Sequence, residues 1–365
     1  MATLLSIPAP VSAFAFNANR SQVALCPNTT EVHIYTLQGD QSYAHTHTLA
    51  KHDQLVTGID WAHRSNRIVT CSQDRNGYVW TFDAATNVWQ PELVMLRINR
   101  SATAVRWSPN EDKFAVASGA KQVSVCYFDS DNQWWSCKHI KKDIRSTVLA
   151  LDWHPNSVLL ALAGADRRAR VVSAFIKGLD AKPAPSPWGE KLPFGTVCAD
   201  VLAEGAGWLH GISFSPSGEE IAFVGHDSSL SVYAPATATL ATVRIPILPL
   251  TSLTWLSASS IVGAGHDCTP VLFTMRSTGW TYAGKIDEGK RSTAAAAGNS
   301  ALAKFKAMDT RATTAANDTE QMTIHQNSIT QICLLNANEY ATGGVDGRIV
   351  VWSALDEAIQ RLSIA

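Results

Sequence analysis

Short apolar runs that end in a large, mostly aromatic side chain recur along the chain. Six clear copies and a weaker seventh end at Phe16, Trp61, Trp107, Trp153, Phe214, Trp255 and Leu334. Consecutive ends are 45, 46, 46, 61, 41 and 79 residues apart. Four of these intervals lie near ~45 residues, which is the length of one four-stranded blade of a β-propeller. The pattern predicts seven repeats of a small β-sheet.

A second marked position follows each of these ends at a nearly constant distance. It lies 18 or 19 residues later, at Tyr35, Trp80, Cys126, Val172, Tyr233, Phe273 and Trp352. Six residues before it, five copies carry an aspartate, while Thr29 and Ala120 take this place in copies one and three. These aspartates are Asp74, Asp166, Asp227, Asp267 and Asp346. The spacing predicts two strands joined by a tight turn at each aspartate.

This pattern resembles the WD40 repeat family. The resemblance implies an all-β fold, a seven-bladed WD40 β-propeller formed by residues 1–365 as a single domain. In that family such an aspartate lies in the turn between the second and third strands of a blade, often bonded to an upstream histidine. His52 and His325 are the candidate partners, 28 and 27 residues before Trp80 and Trp352. One aspartate per repeat favours a structural role, since catalysis would need a base or metal beside it in a cleft.

The last repeat has too few strands of its own. The residues after Trp352 lack the β-branched alternation that is typical of a strand. A closed ring of blades leaves no long sheet edge exposed. We therefore expect residues 3–8 to supply the outer strand of the last blade, so that the N-terminal strand closes the ring.

Two intervals are longer than one blade. The first excess, about 15 residues beyond a blade, is assigned to residues 174–207 as a Pro-rich inter-blade loop. Its prolines exclude a helix and favour extended segments. Trp188 and Phe194 lie in this loop. Two interpretations stay open for them: packing back onto the blades, or a loop that docks a partner.

The second excess is about 35 residues and is assigned to residues 284–323, between the last two blades. Its Ala, Thr, Ser, Lys and Asn content is too polar for a core and predicts a mobile insertion. Within it, about residues 299–310 predict a short amphipathic helix capped by Ser300. Its apolar stripe and the charges that flank it are Leu302, Phe305 and Met308, with Lys304 and Lys306.

That stripe fits docking on another surface. Burying three such side chains is worth ~5–9 kcal/mol before ordering costs, which suits a weak to moderate partner contact. An isolated helix of about ten residues is marginal in water. Docking on the chain's own propeller is equally compatible with the pattern.

Composition and motifs narrow the classes of function. A net charge of −1 over 365 residues predicts no general attraction to nucleic acid or to anionic membranes. No apolar run reaches the ~18 residues of a membrane span, so we expect no membrane insertion. The seven cysteines, without a Cys-x-x-Cys pair, are typical of reduced thiols in a cytoplasmic protein.

The sequence contains few residue patterns that indicate a catalytic or metal-binding site. No Ser-centred nucleophile elbow or His-Glu-x-x-His motif occurs. Four histidines of one polar stretch lack the spacing of metal ligands: His45, His47, His52 and His63. We expect no enzyme activity, no cofactor and no metal. The basic segments 138–145 and 167–170 are interpreted as solvated turns or, alternatively, as a contact patch.

Three segments carry a more specific resemblance. The stretches PAPSPWGEKLPFG, RSTVLALDWHPNSVLLA and ALAKFKAMD resemble the family of subunit 1 of the actin-related protein 2/3 complex, and the likeness runs from the first blade to the last. The resemblance implies a non-catalytic scaffold that supports actin filament nucleation and branching. It implies a cytoplasmic location at the actin cytoskeleton, in cortical patches.

The same resemblance implies the partners. They are actin-related proteins 2 and 3, the other small subunits, the actin filament and nucleation-promoting factors, with no nucleic acid. In that family the helix of the last insertion protrudes towards the mother filament. Leu302, Phe305 and Met308 match it in register, so the resemblance assigns them partner binding, with Lys304 and Lys306 as supporting charges. The alternative is a different WD40 adaptor that binds a peptide or histone tail across the propeller face.

Overall fold

The computed structural model describes residues 2–40, 42–287 and 323–353. Within these ranges the regular structure is entirely β, in seven four-stranded antiparallel sheets. The innermost strand of each sheet packs beside that of the next, and the last beside the first, so the sheets form a closed ring. The predicted seven-bladed propeller is confirmed. Among the described residues, no helix is long and apolar enough to span a bilayer.

The first four blades each use four strands in chain order, from the innermost to the outermost. Blade 1 comprises β2 (Ala13–Phe16), β3 (Gln22–Cys26), β4 (Glu31–Leu37) and β5 (Tyr43–Ala50). Blade 2 comprises β6 (Val56–Trp61), β7 (Ile68–Ser72), β8 (Gly77–Asp83) and β9 (Val88–Val94). Blade 3 comprises β10 (Ala102–Trp107), β11 (Lys113–Ser118), β12 (Val123–Asp129) and β13 (Trp134–Ile140). Blade 4 comprises β14 (Val148–Trp153), β15 (Leu159–Gly164), β16 (Arg168–Ser173) and β17 (Val197–Leu202).

The remaining blades follow the same order, and the last borrows a strand. Blade 5 comprises β18 (Leu209–Phe214), β19 (Ile221–Gly225), β20 (Ser229–Ala234) and β21 (Thr239–Arg244). Blade 6 comprises β22 (Leu250–Ser257), β23 (Ser260–Gly265), β24 (Val271–Arg276) and β25 (Gly279–Lys285). Blade 7 comprises β26 (Ile329–Asn336), β27 (Glu339–Gly344), β28 (Arg348–Ser353) and, from the N-terminus, β1 (Ala2–Ser6).

The N-terminal strand closes the ring as the sequence predicted. β1 pairs antiparallel with β28, with Leu5 opposite Ile349. The backbone pairing continues past the strand, since the Ile7 N–H donates to the Gly347 carbonyl at 2.9 Å. Leu5 and Ile7 then pack in a cluster that joins blade 7 to blade 1. The last and first blades are therefore held together by both hydrogen bonds and apolar contact.

The core lies between neighbouring blades rather than in one centre. Each second strand is covered on both faces by adjacent blades, which is why β7, β11, β15 and β19 are buried at every position. A strand with two covered faces has no polar side, so its sequence is a continuous run of apolar or small residues. This explains the apolar segment that precedes each aspartate turn.

The two ends of the blades form two faces of the ring. The upper face carries the turns between second and third strands and the connections from each fourth strand to the next blade. The lower face carries the remaining turns, including residues 174–196 between β16 and β17. The assignment of 174–207 as an inter-blade loop is therefore wrong in part: residues 174–196 join two strands of blade 4, β17 follows them, and only residues 203–207 belong to the connection between blades 4 and 5. The sequence concealed this strand because the side chains of β17 alternate weakly, all of them half-buried or exposed.

The insertion between blades 6 and 7 belongs to the upper face. The sequence placed its start at residue 284, but β25 runs to Lys285 and Ile286 is buried against blade 7. The chain is described again from residue 323. The predicted helix at about 299–310 lies outside the described residues.

Candidate functional site

A buried hydrogen-bond network crosses the upper end of blade 2. The Trp80 indole N–H donates to the Thr70 hydroxyl oxygen at 3.0 Å, and that hydroxyl lies 2.8 Å from Nε2 of His52. Nδ1 of His52 lies 2.7 Å from Asp74. A carboxylate only accepts, so Nδ1–H donates to Asp74 and the Thr70 hydroxyl donates to Nε2. Burial lowers the pKa of His52, although Asp74 acts to raise it, and so favours this neutral form.

Blade 7 repeats the network. The Trp352 indole N–H donates to the Thr342 hydroxyl at 2.8 Å. Nε2 of His325 lies 2.7 Å from that hydroxyl, and Nδ1 of His325 lies 3.1 Å from the Asp346 carboxylate. Burial acts to raise the pKa of Asp346, but hydrogen bonds from His325 and from the Gln326 N–H outweigh it and the pKa is lowered. The structure thus brings together the histidines and aspartates that the sequence paired.

The other three turn aspartates also have partners in or beside their own turns. Asp166 accepts from Arg170 at 2.6 Å, Asp227 from the Ser229 hydroxyl at 2.5 Å, and Asp267 pairs with Lys285 at 2.8 Å. None of the five aspartates lines the central channel. Across the described ranges, no group of three or more His, Cys, Asp or Glu side chains is placed to hold a metal ion.

Two other carboxylates face the central channel, a cavity of about 510 Å³. Asp60 accepts from the backbone N–H of Trp107 at 2.7 Å, and Asp152 from that of Phe214 at 2.8 Å. Burial raises the pKa of both carboxyls, while Arg106 acts to lower it. Since each carboxylate binds the backbone of the next blade, these groups tie blades together. Sequence reasoning missed them, although each directly precedes a tryptophan that marks a repeat.

The upper face of blades 2 to 4 carries a group of exposed basic side chains, here called the basic arc. They lie in the inter-blade connections and the turns of that face: Lys51, Arg75, Arg97, Arg100, Lys121, Lys141, Lys142, Arg145 and Arg167. Backbone hydrogen bonds join these segments, from Gly119 to Ser101 at 3.0 Å and from Ala165 to Thr147 at 2.9 Å. The same segments hold two exposed acidic residues, Asp53 and Asp143. These segments therefore carry nine exposed cations and two exposed acids.

The basic arc contains only part of the two basic segments seen in the sequence. Lys138 points away from it, with its ammonium over the Phe194 ring at 5.8 Å. Arg168 pairs with Asp200 at 3.1 Å, and Arg170 is buried against Asp166. The other members of the basic arc come from blades 2 and 3. They are far apart in the sequence, so no sequence pattern indicated that they lie on one surface.

Three residues of the basic arc occupy a backbone conformation that glycine adopts at less cost. Arg75, Lys121 and Arg167 follow the aspartate position of blades 2, 3 and 4 and have φ of 72°, 57° and 66°. The equivalent residues of blades 5, 6 and 7 are Ser228, Cys268 and Gly347, with φ of 60°, 61° and 76°. A non-glycine residue in this left-handed region costs roughly 1–2 kcal/mol. The left-handed turn is therefore a feature of the repeat, and blades 2, 3 and 4 carry a cation at its tip.

The Pro-rich loop folds back onto the lower face. Trp188 is 4% exposed, its indole N–H donates to the Gly218 carbonyl at 2.7 Å, and its ring meets Phe214 edge-on. Phe194 is half-buried against the cluster between blades 3 and 4. The loop's Asp180 forms a buried ion pair with Lys113 of blade 3. Of the two interpretations left open, the structure adopts packing on the blades, and Trp188 is inaccessible to a partner.

The ends of the insertion meet on the upper face. The Ile324 N–H donates to the Asp287 carboxylate at 2.6 Å, and the Thr269 hydroxyl donates to the Asp287 carbonyl at 3.0 Å. The insertion therefore leaves and rejoins the propeller at one place, between blades 6 and 7. Its predicted partner-binding residues lie outside the described residues: Leu302, Lys304, Phe305, Lys306 and Met308.

Comparison with known proteins places this architecture in one family. Three segments match the WD domain, G-beta repeat: residues 44–81, 135–173 and 318–353. The chain is 48% identical to actin-related protein 2/3 complex subunit 1A-A of Xenopus laevis, over 97% of both chains. It is 42% identical to actin-related protein 2/3 complex subunit 1 of Schizosaccharomyces pombe, over 95% of this chain and 97% of the relative. The chain belongs to the actin-related protein 2/3 complex subunit 1 family.

The likeness to the subunit 1 family extends to plants. Subunit 1B of Arabidopsis thaliana is 40% identical, over 94% of this chain and 93% of its own. Two of the three WD-repeat matches contain the complete Trp–Thr–His–Asp networks of blades 2 and 7.

Proposed function

We propose that this chain is a non-catalytic scaffold subunit of an actin-related protein 2/3 complex and supports actin filament nucleation and branching. The observation that carries the proposal is likeness over nearly the full chain to relatives from a frog, a yeast and a plant, each named as subunit 1 of that complex. Actin-related proteins 2 and 3 and the other small subunits are the proposed partners within the complex. The proposed location is the cytoplasm, at the actin cytoskeleton and in cortical patches.

The fold suits a scaffold. Each blade is joined to its neighbours by buried apolar clusters, and the ring is closed by β1. Such a body changes shape little when it binds, so it holds partners at fixed relative positions. The channel carboxylates Asp60 and Asp152 are engaged by backbone N–H groups, which supports a structural rather than a catalytic use.

We further propose that the basic arc binds acidic segments of nucleation-promoting factors. The basic arc has nine exposed cations and only two exposed acids, so its excess positive charge attracts an acidic peptide and raises the rate of association. Arginine adds bidentate pairing with carboxylates.

The insertion supplies the second proposed contact, with the mother filament. Its ends lie together on the upper face, the face that also carries the basic arc. The predicted helix at 299–310 carries Leu302, Phe305 and Met308 at a spacing of three residues, flanked by Lys304 and Lys306. We propose that the apolar stripe packs on the filament and that the two lysines pair with acidic side chains there.

Affinity purification of the tagged full-length chain from cytosol tests the subunit assignment. The proposal expects equimolar co-elution of two actin-like proteins and several small subunits in one gel-filtration peak. The same tag on an unrelated WD40 protein is the control for capture by the resin. A monomeric chain, or one that co-purifies with histones, contradicts the assignment and favours the adaptor that reads a peptide across the propeller face.

A further inference from the structure

Two cysteines of blade 3 face each other across neighbouring strands. Cys126 of β12 and Cys137 of β13 are register partners, so their side chains lie on the same face of the sheet. Opposed residues on antiparallel strands have Cα atoms about 4.5 or 5.5 Å apart. Both values lie within the range of about 4.4–6.8 Å that disulfides span. Both thiols are free.

We propose that Cys126 and Cys137 are a redox-active pair that a peroxide oxidises to a reversible intrachain disulfide. The pair is unlike the other five cysteines, because the strand partners of Cys26, Cys71 and Cys333 are not cysteines. Cys198 sits at a register shift without a partner, and Cys268 lies in a turn. Geometry thus offers one place in the chain where two thiols meet.

The two thiols differ in access. Cys126 is fully buried in the cluster between blades 2 and 3, whereas Cys137 is half-buried at the border of that cluster. A small oxidant therefore meets Cys137 first. Two other half-buried cysteines compete poorly, since burial raises the pKa of Cys198 and of Cys333 to about 11 and keeps them as unreactive thiols.

The chemistry proceeds in two balanced steps. The Cys137 sulfur attacks hydrogen peroxide, the O–O bond breaks, and sulfenic acid and one water form. The Cys126 sulfur then attacks the sulfenyl sulfur, its proton leaves with the departing hydroxyl as a second water, and the S–S bond forms. Burial, and then the Cys137 thiol beside it, raise the pKa of Cys126 well above its ordinary value. Cys126 is therefore a weak nucleophile towards free oxidant, and its position opposite Cys137 in the sheet supplies the proximity that the second step needs.

The sequence makes the product easy to detect. Trypsin cuts after Lys121 and Lys138, and the peptide 122–138 between them holds both cysteines and none of the other five. The native complex is treated with hydrogen peroxide, free thiols are blocked with iodoacetamide, and the digest is analysed without reductant. The expected peptide is unalkylated and lighter than the dithiol form by two hydrogen atoms. Treatment with dithiothreitol restores two alkylatable thiols.

Two variants keep the test specific. Cys137→Ser removes the half-buried thiol and is expected to abolish the mass loss and leave Cys126 alkylatable after unfolding. Cys333→Ser, on the channel wall, is expected to leave the mass loss unchanged. Circular dichroism before and after oxidation checks that the ring stays folded. A peptide in which both cysteines remain thiols, or in which Cys137 is oxidised to sulfinic acid beside an alkylated Cys126, overturns the proposal.

Discussion

The hydroxyl of Thr103 in blade 3 donates a hydrogen bond of 2.6 Å to the backbone carbonyl of Val148 in blade 4. The second residue of the innermost strand makes the same bond at three more junctions: Thr57 to Ala102, Thr251 to Ile329 and Thr330 to Val11. Leu149 and His210 take this position in blades 4 and 5. A broken ring of hydroxyls therefore ties the blades together around the upper mouth of the channel.

Removal of one such hydroxyl tests whether these bonds stabilise the ring. Thr103→Val keeps the shape of the side chain but leaves the Val148 carbonyl without its donor. We expect the free energy of unfolding to fall by about 1–2 kcal/mol. Thermal unfolding followed by circular dichroism measures the change. Thr103→Ser, which keeps the hydroxyl, is the matched control; an equal loss of stability in both variants would show that the hydrogen bond is not the cause.

The buried neutral state of His52 predicts a pH dependence of stability. Burial lowers the pKa of His52 in the folded chain from its ordinary value of 6.5. Below pH 6.5 the unfolded state therefore binds a proton that the folded state does not bind. The stabilisation is complete above that pH and is lost as the pH falls through the folded-state pKa. We expect a lower urea midpoint at pH 5.5 than at pH 7.5.

His52→Gln separates this effect from the rest of the molecule. The variant is expected to be less stable at pH 7.5 but to lose less on acidification. Some loss remains, because burial also lowers the pKa of His154 and His210. An unchanged difference between the two urea midpoints would contradict the role of His52 in the acid sensitivity.

A pair of tryptophans tests the packing of the Pro-rich loop. Trp188 is buried and bonded to Gly218, whereas Trp208 on the upper face is 58% exposed. Trp188→Ala removes a buried indole, and we expect a loss of about 3–5 kcal/mol. Trp208→Ala removes the same atoms from a wet surface, so a change within about 0.5 kcal/mol is expected. Thermal unfolding compares the two; equal effects would show that the loop does not depend on Trp188.

Features with a local origin could be predicted from the sequence. The turn at Asp74 is fixed by residues between Thr70 and Trp80, and a repeat of ~45 residues sets the blade number. Features that depend on closure of the ring could not be predicted from the sequence. Nothing in the sequence indicates that Lys121 and Arg97 lie on the same surface. The ion pair between Lys113 and Asp180 likewise joins residues 67 positions apart. β17 was missed because its side chains, half-buried or exposed, lack a clear alternation.

The insertion provides a prediction that concerns filament contact alone. Changing Leu302 and Phe305 together to Ala removes most of the proposed apolar stripe while leaving the propeller intact. We expect normal assembly of the complex and fewer branches per length of filament in an actin polymerisation assay observed by fluorescence microscopy. Thr313→Ala with Thr314→Ala, in the same insertion, is the matched control. A normal branch density in the Leu302 and Phe305 variant would refute this contact.

We propose that the propeller supports branching through its upper face. The most direct measurement is the branch density produced by complexes that carry charge reversals on one face or the other, with a nucleation-promoting factor present. Lys141, Lys142 and Arg145, each changed to Glu, reverse the basic arc. Lys177, Lys182 and Lys191, each changed to Glu, make an equal change of charge at exposed positions of the lower-face loop.

Both complexes are first shown to contain the full set of subunits. We expect the upper-face variant to need at least several-fold more activator to reach the same branch density. The difference should shrink at high salt, because screening weakens the attraction in the parent as well. The lower-face variant is expected to match the parent. Equal branch densities for both variants and the parent across all activator concentrations would contradict the claim.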